Sequence, residues 1–166
     1  FLYFHLQKNT RFGGSEIMAI GDLFFNNGVS FVTADGRLGD KKTTPVNRIA
    51  GTPNGLVRWE SGEIRAAQWL EQGSGTAGEQ ATKSKKLKEV WAARIPFGGI
   101  SLIAAGQTIV SAGKSLDRFG VSTLEVDTQQ SRWSAEVDST PWGLAVADQR
   151  LYVSTEQGTI YCFGAD

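Results

Sequence analysis

A chain of 166 residues, 40% hydrophobic and 20% charged, is large enough for one buried core and too small for two, and its composition is globular rather than disordered or fibrous. Lys plus Arg number 17 and Asp plus Glu also 17, so no global field draws the protein to nucleic acid or anionic lipid, and no nucleic-acid partner is expected. One cysteine, Cys162, and one histidine, His5, exclude an internal disulfide and leave a soft-metal site without ligands, so no metal site is assigned.

In chain order, short runs of Val, Ile, Leu, Phe, Tyr and Trp alternate with Gly, Asp and Asn, and helical periodicity is nearly absent. Phe1 to Leu6 (FLYFHL) reads as a strand. Strands are predicted over 15–21, 23–26 and 29–33, parted at Asp22 and at Asn27-Gly28 and closed at Asp35-Gly36. A second set covers 46–50, 56–59 and 64–69, with turns at Asn54-Gly55 and Ser61-Gly62. Residues 71–88 (EQGSGTAGEQATKSKKLK) are rich in Gly, Ser, Thr and Lys and read as a solvated loop inserted in a repeat. Further strands are predicted over 89–95, 101–105, 108–111, 120–126, 132–137, 143–147, 151–154 and 159–163. No stretch reaches the roughly 18 apolar residues of a membrane-spanning helix.

Overlaying Trp91 on Trp133 without a gap also aligns Ala93 with Ala135, Leu102 with Leu144, Ala105 with Ala147 and Gln107 with Gln149. Ile95/Val137 and Ile109/Leu151 add similar pairs, and three such shifts carry Asp148 back to Asp22. A period of about 42 residues holding four short strands is that of a propeller blade. The expected fold is therefore all-β: a β-propeller of four-stranded antiparallel blades, about four of them. Residues 1–166 form a single domain, with blades near 1–36, 45–95 (carrying the insertion 71–88), 100–137 and 142–166. A blade has two apolar faces and buries both only between neighbours, and Trp91 and Trp133, in the last strand of their blades, read as docking residues. The final blade stops before a fourth strand, as in an excerpt of a longer ring.

Leu151 to Gly164 (LYVSTEQGTIYCFG) resembles the second and third strands of the pyrroloquinoline-quinone-like (PQQ-like) repeat, and Thr123 to Trp133 (TLEVDTQQSRW) resembles its third-to-fourth strand corner. In that corner an Asp-initiated turn leads to a tryptophan docking on the adjacent blade, parts that fall to Asp127 and Trp133. The family's Thr-Gly pair is absent here and the turn is shorter. The resemblance covers residues 89–166, with only strand rhythm before them. It implies a propeller of periplasmic, secreted or cell-surface proteins, either a non-catalytic scaffold for a protein or small-molecule ligand or, as the alternative, a quinoprotein dehydrogenase using PQQ with calcium.

The dehydrogenase needs carboxylate and amide oxygens around calcium and an Asp base, and no such set is legible. Asp22, Asp35, Asp117, Asp127 and Asp148 fall at turns, where Asp caps backbone amides. Gly13-Gly14-Ser15-Glu16 lacks the strand-turn-helix setting of a nucleophile elbow. His5 and Cys162 lie within strands and read as packing or edge residues, and Lys83, Lys85, Lys86 and Lys88 as a solvated run. No catalytic residue is assigned. A third reading, carbohydrate binding, uses aromatic side chains at loop tips: Trp142, following Pro141 at a blade boundary, and Trp59, with Trp69 and Phe97 as further candidates.

Overall fold

The computed structural model describes residues 2–5, 10–13, 17–21, 23–26, 29–33, 48–71 and 85–164. β1 (Leu2–His5) and β2 (Thr10–Gly13) pair as an antiparallel ribbon. β3 (Ile17–Ile20), β4 (Leu23–Asn26) and β5 (Val29–Val32) form a three-stranded meander. A four-stranded sheet follows, from β6 (Ile49–Thr52), β7 (Gly55–Glu60), β8 (Glu63–Glu71) and β9 (Lys85–Ala93). The next holds β10 (Gly99–Ala105), β11 (Thr108–Ser115), β12 (Arg118–Glu125) and β13 (Gln130–Val137). The last holds β14 (Pro141–Ala147), β15 (Arg150–Thr155) and β16 (Ile160–Phe163). All pairings are antiparallel between strands adjacent in sequence.

Four sheets of three or four strands, each in chain order, are blades of a β-propeller. Their faces show why they must stack. On β7, Leu56 points into a core shared with Ile20, Leu23 and Phe25 of the preceding sheet, while its neighbour Val57 points into a core shared with Leu102 and Ile109 of the following one. On β11 the same alternation sends Ile109 back and Val110 forward, onto Leu151 and Val153. Successive side chains leave a strand on opposite faces, so an apolar residue at every position fills the layers on both sides of the blade. Along one edge of the stack β10 lies beside both β6 and β14, so the first strands of successive blades are neighbours, as around a propeller axis.

Two differences from the sequence reading have physical causes. The lysine-rich end of 71–88 is strand: Lys85 pairs with Glu71 and Lys88 with Gln68, while Leu87, opposite Trp69, packs on the core around Ile20. One half-buried leucine and a partner strand outweigh the local charge. β11 continues past Ser111 through Ala112, Gly113 and Lys114, whose small residues do not read as strand. Gly113 is small because a crossing backbone lies against it: a Cβ there would stand 1.8 Å from the carbonyl oxygen of Gly98.

The strand order gives the blades two distinct ends. At one, the second and third strands turn (61–62, 116–117, 156–159) and the chain crosses to the next sheet (94–98, 138–140); this is the crossover end. At the opposite end lie the turns at 53–54, 106–107, 126–129 and 148–149.

Candidate functional site

The tryptophans divide by surroundings. Trp91, on β9, packs against the core between the two four-stranded sheets. Trp133, on β13, meets Phe163 of the next sheet edge-on, with centroids 4.9 Å apart. Asp127 is exposed in the turn that precedes β13, and that turn is closed by main-chain bonds, from the Val126 N–H to the Gln107 carbonyl (2.9 Å) and from the Gln129 N–H to the Glu125 carbonyl (2.8 Å). Trp59, on β7, spreads its indole over the crossing chain: a Cβ on Gly98 would lie 2.2 Å from its ring. Trp69 is half-buried in the core around Ile20, and Phe97 is buried, its N–H donating to the Ser122 hydroxyl (3.0 Å). Trp142, at the start of β14, is 59% exposed.

The remaining candidates do not converge. Asp117 and Asp148 sit in exposed hairpin turns at opposite ends of the blades. Cys162 is exposed on β16, with Arg150 Nη1 3.9 Å from its sulfur. His5 lies on β1, and Lys85, Lys86 and Lys88 lie on β9. Gly13 closes β2, whereas Gly14, Ser15, Glu16, Asp22, Asp35 and Lys83 lie outside the described residues. Among the described residues no three His, Cys, Asp or Glu side chains gather as a metal would require.

Two features stand at the crossover end, and of their residues the sequence had singled out only Trp142. The first is a polar clasp where β13 passes to β14. Asp138 accepts from the hydroxyls of Ser139 (3.1 Å) and Thr159, its N–H donates to the Tyr161 hydroxyl (3.0 Å), and the Gln157 N–H donates to Ser139 Oγ (3.3 Å). The Glu156 N–H bonds the Thr140 carbonyl (2.9 Å), so the crossing chain is tied to the β15–β16 turn. The Thr159 hydroxyl, seconded by Thr155 and Ser139, holds the Asp138 carboxyl below its ordinary 3.8, outweighing the desolvation that pushes it up.

The second is where apolar surface meets water. Among the described residues the three most exposed large apolar side chains are Leu116 (86%), Ile160 (70%) and Trp142 (59%), and all three stand at the crossover end. Single exposed apolar residues are ordinary, and it is contiguous patches of them that mark interaction surfaces. Away from that end, a groove of about 660 Å³ opens between the last two sheets, with Val110 and Trp133 on one wall, Leu151 and Phe163 on the other, and Arg150 at its lip.

No family model matches the chain, and no curated protein matches it. Among solved structures, the chain is similar to BamB from Moraxella catarrhalis, with a TM-score of 0.55 and 14% sequence identity over 89% of this chain and 47% of that one. No helix among the described residues is long and apolar enough to cross a membrane. The chain spans about half the length of the solved structure it matches, and at that identity the likeness shows the fold, blades of a β-propeller.

Proposed function

We propose that this chain is a non-catalytic β-propeller scaffold that docks a protein partner on the crossover end of its blades, in a periplasmic, secreted or cell-surface setting. The compartment rests on the PQQ-like resemblance of residues 89–166. The docking reading rests on one observation: Trp142 and Leu116, on adjacent blades, both hold large apolar side chains in water at the same end. Tryptophan is the side chain whose burial contributes most in protein interfaces, and a rigid sheet presents it at little entropic cost.

Photo-crosslinking in the native host tests this reading. A benzoylphenylalanine in place of Trp142 is expected to capture another protein, while the same group in place of Thr128, at the opposite end, captures none. Equal capture at the two positions, or none at either, would refute the assignment of the surface.

A further inference from the structure

The β11–β12 hairpin carries an anomaly that the fold does not explain. Ser115 pairs with Arg118, so Leu116 and Asp117 alone make the turn, and Leu116 takes φ of 54°. A left-handed backbone suits glycine or asparagine and strains a residue with a large side chain. In the equivalent two-residue turn of the preceding sheet, between Glu60 and Glu63, the position of Leu116 is taken by the small, polar Ser61 at φ 53°, followed by Gly62 at φ 86°. The corresponding turn of the following sheet places Gly158 at φ 87°. Here the sequence puts leucine in a strained conformation and leaves it 86% exposed, so the side chain loses backbone energy and gains no burial in return. Its blade is packed on both faces, in the cores around Ile109 and around Val110, and among the described residues none covers the tip.

The charges beside it indicate what would cover it. Arg118 is paired with Glu136. Lys114 has no carboxylate in ion-pair range among the described residues, and its ammonium lies 5.8 Å over the Phe119 ring. Asp117, next to Leu116 in the turn, and Glu136, Asp138 and Glu156 share this end, which disfavours an anionic lipid surface. Resting on the docking function proposed above, we infer that Leu116 is the anchor of that interface, inserting into an apolar pocket on a partner protein whose rim offers a carboxylate to Lys114. An apolar anchor in a pocket with a charged pair at the rim is how affinity and orientation are divided at protein interfaces.

The test uses Leu116→Asn, which keeps a residue suited to a left-handed turn and removes the anchor, with Leu116→Met as the apolar control. A diazirine leucine at position 116 is crosslinked in the native host, and the captured protein is purified and titrated with each variant. The inference expects tenfold or greater loss of affinity for Leu116→Asn, near-normal binding for Leu116→Met, and a melting temperature for Leu116→Asn equal to the parent's or up to about 4 °C higher. It is overturned if Leu116→Asn binds like the parent, if the diazirine labels lipid alone, or if it labels nothing. Capture from position 142 with none from 116 would sink this inference and leave the docking function standing, whereas silence at both positions ends both.

Discussion

Ser111 and Ser122 face each other across β11 and β12, and both are fully buried. Their hydroxyls differ in one respect. Ser122 accepts the Phe97 N–H where the chain crosses between blades, and Ser111 Oγ has no hydrogen-bond partner among the described residues. A buried donor stripped of its acceptor costs about 1–3 kcal/mol, whereas deleting an unsatisfied group costs little or helps. Ser122→Ala is therefore expected to lower unfolding stability by about 1–2 kcal/mol and Ser111→Ala to leave it equal or raised, both read by urea denaturation. Asp138 adds a pH signature. Because its carboxyl titrates below 3.8 in the folded state, the stability it contributes is fully present above that value and is lost as pH falls through the lowered folded value. Thermal melts across pH about 2–6 should show the parent losing its advantage over Asp138→Asn on the acid side, and parallel curves for the two proteins would contradict the clasp. Neither serine nor Asp138 stands out in the sequence, since a Ser within a strand reads as one more strand residue and a lone Asp at a blade boundary looks like any turn residue. Leu116 could have been seen: it fills a hairpin tip where the neighbouring turns carry Ser61-Gly62 and Gln157-Gly158.

Within the blades, the β6–β9 sheet carries a network in which Glu89 bonds Arg65 (2.8 Å) and Arg58 (3.3 Å), which also bond Glu63 and Glu60. The Arg58 side chain is only 11% exposed, so losing Glu89 leaves a poorly solvated cation with Glu60 as its remaining carboxylate. Glu89→Gln should cost about 1 kcal/mol, more than an isolated surface pair, and a cycle with Arg58→Met should recover part of it. Gly98→Ala is a sharper test of the same layer, since its Cβ would enter the Trp59 indole at 2.2 Å. Overpacking of this kind costs about 1–3 kcal/mol, and Trp59→Leu in the same chain should relieve part of that cost. The strand rhythm was readable because every turn spends Gly, Asn or Asp. Gly113 and the Lys85–Lys88 segment were not, because a glycine under a crossing backbone and a lysine run holding one half-buried leucine acquire strand character only from what lies against them.

For the whole molecule, the period set by Trp91 and Trp133 anticipated blades stacked through alternating apolar faces, and the cores around Ile20, Ile109 and Val110 are those layers. The function was less legible, because a docking surface on a propeller is made of turns far apart in sequence: 114–118 and 138–142 share an end only once strand order is known. Amide exchange of the free and partner-bound protein tests that surface most directly. Slowed exchange confined to 114–118 and 138–142, with 53–54, 106–107 and 148–149 unchanged, is the predicted result; slowed exchange at those opposite-end turns, with 114–118 unaffected, would contradict it.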